Sequence, residues 1–577
     1  MLKSRFCAAL LSVLPLGLLA CAPPPPNQSP NNVSQGTGER QTLKLLAWQA
    51  PTILNPHLST GFKDAEASRI TLEPLATFNQ QGELIPFLAA EIPSRENGGV
   101  AADGKSVIWK LKPDVQWSDG QPFSADDVVF TYEFVSNPQT GATSAGNYEA
   151  IAKVEALDPQ TVKITFKEPT AAWFLPFVGG EGMILPKHLY QDYVGEKARQ
   201  APANLLPIGT GPYRVTEFKP GDVVLYAVNP LFREKDQLGF TQVELKGGGD
   251  ATSAARAVLQ TGDADFAFNL QVENTILQSL VKGGQGQVVA DLGTLGERIL
   301  FNFSDPDATR TNGDRASVKF SHPFLQDPLV RQAIALGIDR GLIAQQLYGV
   351  TGQATANVLL LPQEFASSNT SYQFDPTQGQ KLLDQAGWRD SNGNGIRDKN
   401  GIEMQMVFQT SVNPLRQKTQ QVIKQTLQSM GIGVELKSID PSVLFSGDPA
   451  NPDTLERFYA DLAMFTTGNT NPDPTKYMQT FTCDQIPQAS NNWTGDNFGR
   501  YCNPAYDKLW RSSLGELDPV KRQQLFIAMN DLLVNDYALV PLVHRADVVG
   551  VSNRLTGVAL TPWDRNTWNI KDWQWQN

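Results

Sequence analysis

Cysteine and histidine are scarce in this chain of 577 residues, which contains four of each. The histidines are widely separated and none belongs to an HExxH pattern, which excludes a zinc peptidase of that type. The chain also lacks a GxSxG elbow. The glycine-containing stretch 209–213 (GTGPY) has no P-loop lysine, so we interpret it as a turn into a strand. We therefore predict neither enzymatic activity nor a cofactor.

Charged residues are also relatively few, at 19% of the chain, and their balance is acidic. The net charge is -11, and loss of the two positive charges at Lys3 and Arg5 would bring it to about -13. No basic patch is present, which argues against nucleic-acid binding and biases the protein against anionic solutes. The 41% hydrophobic and 9% aromatic content is that of a folded protein, and the length predicts two or three domains.

Only one apolar run has the features of a membrane-targeting segment, and it lies at the start of the sequence. Lys3 and Arg5 precede an apolar stretch from Ala8 to Leu19 that is too short for a stable membrane span. The run ends in Leu-Leu-Ala-Cys21, which resembles a bacterial lipobox, although an ordinary signal peptide with a chance cysteine is the alternative. We predict a signal peptide at 1–20, a lipid on Cys21, and a disordered Pro- and Asn-rich tether at 21–40. The expected location is the extracytoplasmic face of a bacterial membrane.

The other cysteines are Cys7, which lies in the leader, and Cys483 and Cys502, which lie nineteen positions apart. In an exported protein we expect the last two to form a disulfide, although a metal-binding pair is the alternative. Closing a loop of this length stabilises a protein by about 3 kcal/mol on the chain-entropy estimate.

The stretch from Asp103 to Phe130 has strong local signals. Val107, Trp109 and Leu111 alternate with polar residues and predict a strand. Asp-Gly turns precede and follow this region, and Ser124 stands before two acids as a helix N-cap. The pattern predicts a hairpin, a turn and a capped helix.

The same stretch resembles the signature block of the family 5 extracellular solute-binding proteins, the peptide, oligopeptide and nickel-chelate receptors of bacterial ABC importers. The resemblance extends from about Thr42 to Trp575, with gaps at loop insertions. The motifs that carry it include PFLA (86–89), DGK (103–105), WKLK (109–112), VQWSDG (115–120), FSADDV (123–128), GTGPY (209–213), DPLVRQAIA (327–335) and RYCNPAYDKL (500–509).

This resemblance implies an α/β fold of the two-lobed periplasmic-binding-protein type (class II), with a sheet-rich domain inserted in the first lobe. We name the expected parts lobe I, domain II and lobe III. The expected boundaries are 41–77, 203–297 and 541–577 for lobe I, 78–202 for domain II, and 298–540 for lobe III.

The segment from Asp461 to Pro474 is where the resemblance implies contact with the solute. Peptide-binding relatives carry a Trp and an Asp here, the Asp pairing with the peptide α-amino group, and these positions are Thr467 and Thr470 in this chain. Asp473 is the alternative anionic partner. From placement alone, we expect the cleft to be lined by Trp48, Phe62, Phe465, Thr466, Thr467, Asn469 and Thr470.

The polar loop that begins at Asp390 has two interpretations. Asp390, Asn392, Asn394 and Asp398 match the first ligands of an EF-hand-like calcium loop, but position twelve is Gly401 instead of Glu. A polar hairpin turn explains the same residues.

We therefore expect a monomeric receptor that binds a peptide or related small solute and passes it to an ABC permease. A solute-sensing lipoprotein without a transport role would have the same cleft, and a secreted hydrolase is a further alternative, for which the sequence offers no recognisable catalytic motif.

Overall fold

Two large β-sheets organise the chain in the computed structural model, which describes residues 42–59, 61–446 and 451–576. The predicted signal peptide, Cys21 and the predicted tether lie outside the described residues. Each sheet forms the centre of one lobe, and a smaller third sheet belongs to domain II.

Lobe I is built on a seven-stranded sheet. The strand Thr42–Ala47 runs parallel to both of its neighbours, whereas the other pairs in the sheet are antiparallel. Its alternate residues Leu43 and Leu45 are fully buried, as expected for a strand with one face on the core. In spatial order the strands are Gly286–Asp291, Asp547–Ser552, Phe266–Ala267, Thr42–Ala47, Gln242–Gly247, Val223–Val228 and Tyr213–Lys219.

Lobe III is built on a six-stranded sheet with helices on both faces. Its central strand Gly296–Phe301 is buried at every position, because Ile299 and Phe301 pack into one core while Leu300 packs into another. In spatial order the strands are Gly352–Ala354, Leu539–Arg545, Gly296–Phe301, Leu462–Thr467, Gln405–Ser411 and Gly433–Ile439. The longer helices on this sheet are Pro328–Leu336, Pro376–Gln385, Pro414–Ser429, Pro504–Leu514 and Pro519–Asn535.

Two short connections join the large sheets, and they lie side by side. One runs from Asp291 to Gly296 and the other passes through Ala546. A backbone hydrogen bond from Arg545 N to Leu295 O (2.8 Å) links them. The boundaries expected after residues 297 and 540 therefore fall inside strands of the six-stranded sheet, because strand pairing continues to both ends of Gly296–Phe301 and Leu539–Arg545.

Domain II contains a three-stranded antiparallel sheet, ordered Ser106–Lys110, Thr161–Phe166 and Ile151–Asp158. Val107 and Trp109 are fully buried, which confirms the predicted strand. The predicted local hairpin is wrong, because this strand pairs with Thr161–Phe166 about fifty residues later, and the Asp119-Gly120 turn closes only a single bridge.

The helix Ala125–Ser136 packs on this sheet and begins at the predicted cap. The Ser124 hydroxyl accepts a hydrogen bond from Asp126 N, and the Asp127 carboxylate accepts one from Ser124 N (3.0 Å). This reciprocal capping box fixes where the helix begins.

The remaining elements are short. The other α-helices are Phe62–Arg69, Lys187–Tyr190, Ala251–Arg256, Asn274–Val281, Arg340–Ile343, Pro441–Leu444 and Thr475–Gln479. The other strands form the pairs Ala76–Phe78 with Leu84–Pro86, Asp398–Lys399 with Ile402–Glu403, and Leu555–Thr556 with Gln574–Trp575. Within the described part of the chain, no helix has both the length and the apolar character needed to cross a membrane.

Candidate functional site

A cavity of about 1610 Å³ lies between the two lobes and domain II. The end of the first strand and the helix Phe62–Arg69 contribute from lobe I, and residues 465–471 contribute from lobe III. Residues 179–181 of domain II close a further side. The volume exceeds the roughly 300–1,000 Å³ of ordinary small-molecule sites, so the cavity can hold an extended solute.

All seven residues predicted to line the cleft do lie on its walls: Trp48, Phe62, Phe465, Thr466, Thr467, Asn469 and Thr470. Trp48 is fixed by a hydrogen bond from its indole Nε1 to Asn269 O (2.9 Å). Phe62 is 53% exposed, and the Arg565 guanidinium lies over its ring at 4.7 Å. Whether these residues bind a ligand stays a prediction.

Thr466 belongs to a buried polar network at the base of the cavity. Its hydroxyl donates to Glu297 Oε2 (2.6 Å) and accepts from Arg416 Nη2 (2.9 Å). Arg416 Nε also donates to Glu297 Oε1 (2.8 Å). The charges of Glu297 and Arg416 therefore compensate each other within the protein. The network holds the wall in place, and few of its hydrogen-bonding atoms remain for the solute.

Asn469 and Thr470 differ in their access to the cavity. The Asn469 amide donates to Leu361 O (2.9 Å) and Asn471 O (3.0 Å), which holds the side chain with only 3% exposure. Its Oδ1 has no hydrogen-bond partner among the described residues. Thr470 is exposed on the wall.

The alternative assignment of Asp473 as an anionic partner for the solute is wrong. Its carboxylate is paired with the Arg522 guanidinium and also accepts from Thr475 N (2.9 Å). Asp473 is 5% exposed, so its carboxylate stabilises the interior of lobe III.

Two carboxylates on the lobe I side of the cavity have strongly altered environments. Glu66 accepts hydrogen bonds from Asn566 N (2.9 Å) and Thr567 N (3.1 Å), and burial raises the pKa of its carboxyl to about 7. Burial also raises the pKa of Asp547, against the opposing effect of Arg545. Asp547 follows the connection at Ala546 directly, so it lies where the lobes meet.

The lobe III side carries a second acidic group, formed by Glu456 and Asp496. Burial raises the pKa of Glu456, and the charge of Asp496 contributes to that rise. Asp496 is an exposed side chain on the cavity wall. Desolvation of this carboxyl within the cavity raises its pKa, and the charge of Lys476 opposes the rise while that of Glu181 adds to it.

A disulfide joins Cys483 to Cys502, with Cα atoms 4.7 Å apart, as the sequence favoured over a metal pair. The loop that it closes contains Asp496 and Phe498, both of which line the cavity. The disulfide therefore stabilises a part of the cavity wall that otherwise has little regular structure.

His57 is a buried structural residue that precedes Leu58, a residue of the cavity wall. Its Nε2 donates to Met183 O (2.7 Å), and Nδ1 lies 2.7 Å from Ser144 Oγ. Burial lowers the pKa of this imidazole to about 4. Asn55 supplies the cap of this turn by accepting from His57 N (3.1 Å).

The loop weighed as a calcium site is closed by its own hydrogen bonds. Asp390 accepts from Gly393 N (2.7 Å) and Gly395 N (2.9 Å), and Asp398 accepts from Ser391 N (2.9 Å). The amide of Asn394 donates to Glu403 (2.7 Å), and that of Asn392 donates to the same carboxylate (3.4 Å). These contacts suit a polar hairpin turn, and calcium binding stays a prediction.

Sequence reasoning missed several side chains of the cavity, chiefly Arg416, Glu456, Asp496, Arg545 and Asp547. None lies in a motif, and the five residues come from four separate stretches of the chain, Arg545 and Asp547 sharing one of them. Asp496 had one available signal, its position inside the loop closed by the two cysteines.

Two lobes, paired connections between them and a cavity at their junction define a two-lobed solute-binding protein. The family model described as "Bacterial extracellular solute-binding proteins, family 5 Middle" matches residues 83–488. The chain therefore belongs to the family 5 bacterial extracellular solute-binding proteins, and the family and fold class predicted from its sequence are confirmed.

Known relatives match over most of their length. The oligopeptide-binding protein AppA of Bacillus subtilis is 25% identical over 98% of this chain and 97% of its own. Its structure in complex with a nonapeptide has a TM-score of 0.78 over 93% of this chain and 99% of that chain, at 22% identity. NikZ of Campylobacter jejuni in complex with Ni(L-His) has a TM-score of 0.77 at 24% identity, covering 92% and 99%. A putative ABC transporter peptide-binding protein of Brucella ovis is 27% identical over 73% of both chains.

Proposed function

We propose that this protein is the extracytoplasmic receptor of an ABC importer, and that it binds a peptide or related small solute between its lobes and delivers it to a membrane permease. The observation that carries this proposal is the cavity of about 1610 Å³ enclosed by both lobes and domain II. The peptide-binding relatives named above support the solute class, and the nickel-chelate complex of NikZ keeps a small chelate among the solutes to be tested.

The paired connections between the lobes provide a hinge. The segment at residues 292–295 and the segment at Ala546 lie together, and His544 Nε2 donates to Gly293 O (2.7 Å) across them. A few connecting residues of this kind absorb the backbone rotation in hinge closure, while the lobes move as rigid bodies. Solute that contacts both lobes would therefore stabilise the closed form that docks on a permease.

The experiment is to purify the full chain, release any bound solute by denaturation and identify it by mass spectrometry. Calorimetry with the identified solute then measures affinity, and small-angle scattering measures the radius of gyration before and after its addition. We expect stoichiometric binding, a smaller radius and recovery of the solute unchanged. Chemical turnover of the solute would instead support a hydrolase, and failure to bind any co-purified or added solute would contradict the proposal.

Attachment to the membrane through a lipid on Cys21 belongs to the same proposal, as does a monomeric state. The pattern Leu-Leu-Ala-Cys21 supports the lipid. Replacing Cys21 with serine should move the protein from the membrane fraction to the soluble fraction of cells, whereas unchanged fractionation would argue against lipidation. Size-exclusion chromatography with light scattering checks the monomer.

A further inference from the structure

Domain II contacts lobe III outside the cavity, although it is built onto lobe I. Both of its chain connections lead to lobe I, and its hydrophobic core continues into Leu72 and Leu75 of that lobe. From lobe III, Leu361 packs against the same core, and Leu517 Cδ1 lies 3.8 Å from the position that a Cβ on Gly104 would occupy. Because domain II is attached to lobe I, these contacts must break when the two lobes separate.

A much closer contact joins Gly146 of domain II to Lys476 of lobe III. A Cβ on Gly146 would lie 2.1 Å from Lys476 Nζ and 2.5 Å from its Cε, and its three nearest atoms all belong to this lysine. Gly146 lies in the helical turn Ala145–Tyr148 and outside the left-handed region, so its backbone conformation does not require glycine. The missing side chain instead gives the lysine room to lie across domain II.

Lys476 brings a positive charge to a junction that has carboxylates on both sides. Its ammonium donates to Gln479 Oε1 (3.3 Å) within lobe III, and among the residues that the structure describes it has no ion-pair partner. Desolvation raises the pKa of Asp496 in lobe III, and the charge of Lys476 opposes this rise. The charges of Glu181 and Glu149 in domain II add to the rise. Lys476 therefore offsets a repulsion between acids of the two bodies that would otherwise resist their approach.

The carboxylate of Glu181 also has partners on its own side of the junction. It accepts a hydrogen bond from Asn147 Nδ2 (2.9 Å) and pairs with Arg565 Nη2 (3.9 Å). Arg565 thus supplies a cation from lobe I, and Lys476 supplies one from lobe III.

We propose that Lys476 and Gly146 form a clasp between lobe III and domain II, and that this clasp holds the lobes closed over a bound solute. The inference rests on the proposed function and gives domain II a role in retaining the solute, in addition to its place on the cavity wall. Because the clasp forms only when the lobes approach each other, it stabilises the closed form and slows the release of solute.

The first experiment requires no solute and uses the full chain. In the double variant Gly146→Cys with Lys476→Cys, oxidation should form a disulfide between positions 146 and 476, because the lysine side chain lies against Gly146. Mass spectrometry of proteolytic peptides distinguishes it from the disulfide between Cys483 and Cys502. We expect small-angle scattering to give a smaller radius of gyration for the oxidised than for the reduced double variant, and no such change for the parent or the two single variants.

The second experiment measures how long peptides stay bound. Each protein is loaded with a synthetic mixture of random pentapeptides, and mass spectrometry follows the peptides that remain after gel filtration. Lys476→Met removes the ammonium and Gly146→Val blocks its approach. Each variant should release peptides roughly two- to fivefold faster than the parent, the effect of one partly exposed charge interaction. High salt should shorten retention by the parent more than retention by Lys476→Met.

The matched control is Lys437→Met. The pair of Lys437 with Asp453 (2.6 Å) lies wholly within lobe III, so this variant loses the same charge and should release peptides at the parent rate. Melting curves of all variants check that they fold.

The outcomes separate the clasp from the proposed function. If the disulfide does not form, or if Lys476→Met and Gly146→Val retain peptides as long as the parent, the clasp is overturned and the receptor stands. If no protein retains a peptide and no solute is found in the purified parent, the proposed function is overturned. The clasp then depends on the disulfide experiment alone, and equal radii for the oxidised and reduced double variant overturn it as well.

Discussion

Replacing Arg416 with methionine should destabilise lobe III far more than loss of an ordinary ion pair. Arg416 and Glu297 are 5% and 1% exposed, and the guanidinium Nε donates to the carboxylate at 2.8 Å. Among the residues that the structure describes, only the Thr466 and Tyr348 hydroxyls, at 2.6 and 3.4 Å, then remain as hydrogen-bond donors to the buried Glu297. Removing one partner of a buried pair costs about 3–5 kcal/mol.

The magnitude lies toward the lower end of that range, because the nearby buried Arg545 also interacts with Glu297. For a folding unit of this size, 1 kcal/mol corresponds to roughly 2–4 °C, so a cost of about 3 kcal/mol should lower the melting temperature of lobe III by roughly 6–12 °C. The double variant Arg416→Met with Glu297→Met removes both charges, and we expect it to lose much less than the sum of the two single variants.

Differential scanning calorimetry and urea denaturation of the parent, the two single variants and the double variant measure this coupling. Lys437→Met is the matched control, because its pair with Asp453 (2.6 Å) is on the surface of the same sheet, and such pairs contribute about 0–1 kcal/mol. The reasoning would be refuted if Arg416→Met lowered the melting temperature no more than Lys437→Met does. It would also be refuted if the destabilisation of the double variant equalled the sum of those of the two single variants.

Three further predictions concern the fold around the cavity. Replacing Cys483 and Cys502 with serine should cost about 3 kcal/mol and weaken solute binding through the loop that carries Asp496; an unchanged melting temperature in calorimetry would contradict this. The neutral form of His57 is favoured by folding, since its pKa falls from 6.5 to about 4, so its contribution to stability is present above pH 6.5 and is lost as the pH falls toward 4. Urea denaturation measures the free energy of unfolding at pH 7 and at pH 4. Between these pH values it should decrease by about 3 kcal/mol more for the parent than for His57→Gln, and equal decreases would argue against the buried neutral imidazole. Gly209→Ala would place a Cβ 1.9 Å from Thr71 O and should lower the free energy of unfolding by about 1–3 kcal/mol in denaturation experiments. Gly515→Ala, whose Cβ would meet no atom within 4 Å, is the control. Equal denaturation midpoints for the two variants would show that the backbone near Gly209 shifts to accept the Cβ.

Local physics made several elements of the fold predictable from the sequence. Val107 and Trp109 alternate with polar neighbours because one face of their strand is buried, and Ser124 begins its helix by capping free backbone N–H groups. The pairing of that strand was not predictable in the same way. Its partner, Thr161–Phe166, is distant in sequence, and the nearby turn signal pointed to a closer one.

The candidate site likewise has a part that the sequence predicted and a part that it did not. The stretch 465–470 was predicted from the family resemblance, and one strand and the loop after it reach the cavity together. Asp473 was kept as an alternative anionic partner because its actual partner, Arg522, lies 49 positions further along, on a helix whose docking the local pattern does not reveal.

By itself, the sequence determined the family through its ordered motifs, and the family resemblance implied the two-lobed fold class and one contiguous wall of the cavity. The tertiary structure alone decided the charge of the cavity. Glu181, Glu456, Asp496 and Asp547 come from four separate segments, and sheet order, the disulfide and the paired connections bring them to the walls of one space. Whether a carboxylate is compensated or open to a solute depends on which residues lie across from it, and only the packing of the lobes sets that.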